Sequence, residues 1–240
     1  MLIAIVASTL LAASLGCGLI NQVNQVVNAA QVLSDFADRM NKAATLTYTA
    51  EYSMTGGENA GEKVTLVQQP PKAAFLVKDG RFISTPEALF FCGDEKGVMT
   101  CQKQPNTAAA AGQAEAGFVA GIAGPGFITP EVALGLILAA AVVPGAKVDS
   151  SEKKIGGKDA LCATASNLEA AASPGEKDVP KDFSVCILEE GVLASFSGTS
   201  SEDEKVAIEL TSFKESADAS AFAPPAGAKV VDVTSIEPPK

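Results

Sequence analysis

Five side chains in this sequence have a type and spacing that point to definite covalent chemistry: Cys17, Cys92, Cys101, Cys162 and Cys186. No histidine accompanies them in the 240 residues. That removes Ser-His-Asp and Cys-His nucleophilic sites, His-ligated zinc, and imidazole acid–base chemistry near neutral pH. The cysteine spacings also exclude a CxxC metal or redox site. Other catalytic candidates are thin. The acidic runs Glu189-Glu190 and Glu202-Asp203-Glu204 fall at turns, where a solvated charge run is the ordinary reading. Gly156-Gly157 lacks the rest of a phosphate loop. The expectation is a protein that is not an enzyme and needs no cofactor or metal.

Cys17 stands apart because of what precedes it. Leu2 to Leu15 is an apolar run broken only by Ser8, Thr9 and Ser14. It is shorter than the roughly 20 residues of a membrane-spanning helix and suits the apolar region of a secretory signal. Ser14-Leu15-Gly16-Cys17 follows and resembles a bacterial lipobox. Cleavage after Gly16 would leave residues 1–16 as a signal peptide and Cys17 as the lipidated first residue. Two features depart from that pattern. Ser14 stands where leucine is usual, and neither lysine nor arginine precedes the apolar run. The alternative is an ordinary secretory signal with an incidental cysteine.

With Cys17 set aside, four cysteines remain and allow three pairings. Leu89 to Cys92, the polar stretch Gly93 to Gly97, and Val98 to Cys101 read as strand, turn, strand. That hairpin places Cys92 beside Cys101. Cys162 and Cys186 lie in two further apolar strand-like runs, separated by the Pro/Gly/charge-rich loop Ser173 to Asp182. The predicted bridges are therefore Cys92–Cys101 and Cys162–Cys186. Loop-closure entropy assigns them about 2.7 and about 3.5 kcal/mol. Bridges also imply an oxidising compartment, in agreement with export.

The elements that hold these residues follow from hydrophobic period. From Leu19 to Met40, apolar residues recur at three- and four-residue steps, which predicts an amphipathic helix over 19–43. The period then drops to two. Leu46 to Met54 alternates strictly, as a half-buried antiparallel strand does. More strands follow to residue 103, with Asp79-Gly80 as a hairpin signal. Pro70-Pro71 marks a break or an edge. Residues 106–143 form a helical insertion. Thr129-Pro130-Glu131 is a helix start, and Pro144-Gly145 is a stop. Gly121, Gly124-Pro125-Gly126 and Pro130 interrupt its apolar stretch before it reaches a comfortable spanning length. Strands resume over 146–233, and the tail should fray. Residues 17–240 are thus expected to form one α+β domain.

The chain is acidic, with 28 Asp plus Glu against 18 Lys plus Arg and a net charge of −10. That argues against nucleic acid, whose phosphates need basic patches. Aromatic residues make up only 5%, too few for stacking platforms.

Several local signatures bear on the family. Gln69-Pro70-Pro71 leads into a strand ending at Asp79-Gly80. Ile155-Gly156-Gly157-Lys158-Asp159-Ala160-Leu161-Cys162 precedes the hairpin Cys186 to Leu193, and Phe222-Ala223-Pro224-Pro225 closes the pattern. With the element order and the export signal, they resemble the LolA-like fold of bacterial lipoprotein carriers. Actinobacterial lipoproteins of the LppX/LprG type are the nearer likeness. The resemblance implies an incomplete, strongly curved antiparallel half-barrel wrapped over helices, with an apolar cavity between them. It implies an exported protein anchored at the outer face of the cytoplasmic membrane, holding a lipid or other hydrophobic ligand. The implied cavity residues are Phe118, Phe127, Leu134, Ile137 and Leu138 of the insertion, facing Phe75, Val77 and Phe90 of the sheet. The Gly-rich stretch before Thr129 suits a lid. The competing expectation is an envelope interaction or sensor lipoprotein, with an unknown protein partner and a barrel filled by its own side chains.

Overall fold

In the first strand every second side chain is buried: Tyr48, Ala50, Tyr52 and Met54 face one way, while Glu51 and Thr55 face solvent. The same alternation, repeated along the chain, builds one large sheet with an inner and an outer face. The computed structural model describes residues 30–57, 60–107, 130–171, 180–200 and 203–233. The expected signal peptide 1–16, Cys17, the start of the first helix, and most of the insertion lie outside the described residues.

Helix α1 covers residues 30–43. A first meander follows: β1 (Tyr48–Thr55), β2 (Lys63–Gln69), β3 (Lys72–Val77), β4 (Gly80–Ser84), β5 (Ala88–Glu95) and β6 (Val98–Pro105). Helix α2 (Pro130–Ala141) separates it from a second meander. That run holds β7 (Lys147–Ile155), β8 (Lys158–Ser166), β9 (Pro180–Leu188), β10 (Leu193–Ser200) and β11 (Lys205–Lys214), and the short β12 (Lys229–Asp232) comes last. The two meanders join through antiparallel β1 and β11, with Tyr52 opposite Leu210 and Met54 opposite Ile208. The full order is β12-β6-β5-β4-β3-β2-β1-β11-β10-β9-β8-β7. The sheet is curved and open, with β12 and β7 as its edges. Curling brings the β7–β8 turn back toward the centre: a Cβ on Gly156 would lie 3.7 Å from the Leu210 carbonyl oxygen of β11.

Pro70-Pro71 marks the expected break, as the tight turn between β2 and β3, with a cis peptide bond. One local detail differs from the sequence reading. The closing strand β12 runs parallel to β6 rather than extending the second meander, with Val230 beside Cys101.

The main core lies on the inner face, under the helices. Val32 and Phe36 of α1 and Ile137 and Ala140 of α2 are buried in it. The end of α1 is held from two sides. The Gln68 Nε2 donates to the helix-end carbonyl of Ala43 at 2.6 Å and to the Leu46 carbonyl in the link to β1 at 3.2 Å. The β9–β10 turn abuts the Arg39 carbonyl at Gly191, whose φ is +82°. Deeper in, burial holds the Tyr52 phenol well above its ordinary pKa, and its hydroxyl donates to the Leu193 carbonyl at 3.0 Å. A smaller cluster occupies the outer face, where Val67, Ala74 and Ile83 pack under Ala221 and Phe222.

Candidate functional site

The cross-strand registers line up inner-face residues into rows. One row reads Ala50, Leu66, Phe75, Phe82, Phe91 and Gln102 across β1 to β6. It is apolar from Ala50 to Phe91, and Phe82 meets Phe91 edge-to-face at 6.4 Å. Beside it lie Val77, Gly80 and Gly93, each opposite the next. Gly93 is extended strand backbone, and no described residue lies within 4 Å of where its Cβ would sit.

Burial is uneven along this face. On β8 to β10 the inward residues are closed off: Ala163, Val185 and Ala194 have no exposure. On β2 to β4, Leu66, Val77 and Phe82 remain partly exposed although they belong to the same core. Among the described residues the first meander therefore presents an apolar floor that is not fully roofed, with free space above Gly93. Groups of this kind can hold hydrocarbon by exclusion from water.

The sequence-predicted residues divide accordingly. Phe75 and Val77 lie together on this floor. Phe90 faces the other way, opposite Ile83, and packs with the outer cluster. The inward phenylalanine of β5 is its neighbour Phe91. Ile137 is fully buried and Leu134 partly so, on a helix that packs against β7 and β8 at the closed end. Leu138 points outward and is 51% exposed. Phe118, Phe127 and Cys17 lie outside the described residues. Leu66, Phe82, Phe91 and Gly93 were not singled out from sequence. Turn register could have found them, because a β3–β4 turn that pairs Val77 with Gly80 also sets Phe75 against Phe82.

Both expected disulfides are present, Cys92–Cys101 and Cys162–Cys186. In each, the two cysteines are direct cross-strand partners. On β5 the bridge takes the outer face, which leaves the inner face to Leu89, Phe91 and Gly93.

Several charged groups near turns are paired. The Lys158 ammonium donates to Glu190 and sits 4.7 Å over the Phe213 ring. Lys181 donates to Asp203 at 2.7 Å. That bond raises the lysine pKa and lowers that of the carboxyl. Among the described residues no three or more Cys, Asp and Glu side chains group as metal ligands. None of the described helices is long and apolar enough to cross a membrane.

No family model and no curated protein matches this sequence. Solved structures do share its chain course. An uncharacterised conserved protein from Thermus thermophilus matches at 10% identity and TM-score 0.47, over 83% of this chain and 98% of that one. The Pseudomonas aeruginosa MucA/MucB complex matches at 9% identity and TM-score 0.48, over 84% of this chain and 64% of that one. The Mycobacterium tuberculosis lipoprotein LppX matches at 11% identity and TM-score 0.42, over 79% and 98%. These likenesses concern the course of the chain alone.

Proposed function

We propose that this is an exported binding protein, not an enzyme, that holds a lipid or similarly apolar ligand on the inner face of its first meander. The observation that carries this reading is the unevenly roofed core: Leu66, Val77 and Phe82 stay partly exposed beside buried Phe75 and Phe91. Folding alone favours covering such a surface, at about 25 cal/mol per Å². A floor that the described residues leave partly open, next to strands whose Ala163, Val185 and Ala194 are closed off, fits a site completed by a ligand. Two disulfides support an oxidising compartment. A lipid anchor at Cys17 would hold the protein at the membrane, where such ligands reside.

Gly93→Leu tests the site. The added side chain enters open space on extended backbone, so it should leave the melting temperature at or slightly above that of the unsubstituted protein. It should also displace hydrocarbon. The expected result is at least a tenfold loss of affinity for the neutral apolar dye N-phenyl-naphthylamine, or about 1.4 kcal/mol. Unchanged dye binding by a well-folded variant would remove the ligand from this floor. A sharply lower melting temperature would mean that the space is already filled, in favour of the sensor alternative.

A further inference from the structure

Arg39 is a poorly compensated charge on the core side of the molecule. It lies on α1 three residues after Phe36, on the stripe that also carries Val32 and Ala43, and its side chain is only 18% exposed. A guanidinium has five donors in a planar fork, which matches an oxyanion. Here the fork is largely unused. Nη1 is shut off from solvent without a hydrogen-bond partner among the described residues. Nη2 reaches Glu152 of β7 only at 3.9 Å, beyond hydrogen-bond length, and that carboxylate is itself 82% exposed. Glu190, on the turn that abuts Arg39, is taken by Lys158. A buried donor left unmatched opposes folding, so its place on a core-facing stripe calls for an acceptor that the described residues do not supply.

We infer that Arg39 receives the anionic head of an amphiphile, a phosphate or carboxylate, whose hydrocarbon tail runs along the inner face. The placement fits. Exposed Glu152 marks the rim of the sheet at β7, and the apolar core begins one helical turn away at Phe36. A head at the rim and a tail inward is the orientation that keeps charge near water and hydrocarbon away from it. Phosphate and carboxylate share the bidentate geometry of the fork, and both outcompete a solvated, distant glutamate. This inference rests on the proposed hydrophobic site and adds the class of head group.

The experiment measures displacement of N-phenyl-naphthylamine from the whole exported protein by decyl phosphate, by decanol and by inorganic phosphate. Decyl phosphate should bind about tenfold or more tightly than decanol, the worth of a charge-assisted hydrogen bond. Arg39→Gln should abolish that preference without affecting decanol, while Arg39→Lys should keep part of it. Glu152→Gln should strengthen it by removing the competing carboxylate, a direction that a purely structural ion pair would not produce. Equal binding of decyl phosphate and decanol would overturn the head-group assignment and leave the hydrophobic site standing. Displacement by inorganic phosphate at the same concentration would make Arg39 a simple anion site and equally overturn the assignment. If neither decyl compound displaces the dye, the hydrophobic site itself fails. Should Arg39→Gln not fold, the decyl phosphate to decanol ratio and Glu152→Gln still decide the matter.

Discussion

Gly191→Ala is expected to destabilise the protein by about 3 kcal/mol or more, a large share of the roughly 5–15 kcal/mol available to a domain. Two costs add. The backbone of Gly191 has φ +82°, where an L side chain costs about 1–2 kcal/mol. A Cβ there would also lie 2.0 Å from the Arg39 carbonyl oxygen and 3.0 Å from the Met40 Cα. Those are backbone atoms of α1 and have no rotamer with which to give way. Either the turn or the helix end must move, and α1 carries Phe36 into the core. Gly157→Ala is the control. Its φ is +81°, but no described residue lies within 4 Å of its Cβ position. Urea unfolding of the two variants should therefore separate them by the contact alone. Equal destabilisation would mean that the β9–β10 turn does not seat α1.

The second large effect is expected from the bridge between β8 and β9. Replacing Cys162 and Cys186 together by alanine should cost about 3.5 kcal/mol through loop entropy, and more for the buried sulfur packing lost. The two cysteines are 0% and 2% exposed, and they lock the strands that close the second meander. The equivalent change at Cys92 and Cys101 should cost less, about 2.7 kcal/mol, because its loop is shorter. The sequence separations are 24 and 9 residues. Denaturation midpoints of the two double variants under oxidising conditions give the comparison. A smaller loss at Cys162 and Cys186 than at Cys92 and Cys101 would contradict it.

The parts of this fold that were legible in sequence are those fixed by short-range pattern. Strict alternation from Leu46 to Met54 announces β1, and Tyr48, Ala50, Tyr52 and Met54 are indeed its buried side. Hairpin spacing announces both disulfides, because antiparallel register pairs Cys92 with Cys101 directly. Where the pattern carries no phase, the reading runs out. Phe90 and Phe91 are adjacent and chemically identical, so only strand register decides which one faces inward. Helix α2 has no polar stripe from Leu134 to Ala141, so its sequence could not say that Ile137 is buried while Leu138 is exposed. The parallel return of β12 to β6 depends on a contact between distant segments and leaves no local trace. Arg39 escaped notice for a related reason. A charged residue in an amphipathic helix reads as part of the polar face unless its neighbours on both sides are known.

The central claim is that the inner face of the first meander carries an apolar ligand. Native mass spectrometry of the protein, purified gently from the exporting cell, tests it most directly. The expected spectrum shows a species heavier than the covalent chain, with any lipid anchor included. Its excess mass should leave on extraction into organic solvent and be depleted in Gly93→Leu. A spectrum holding only the covalent mass, from a protein that also takes up no N-phenyl-naphthylamine, would contradict the claim.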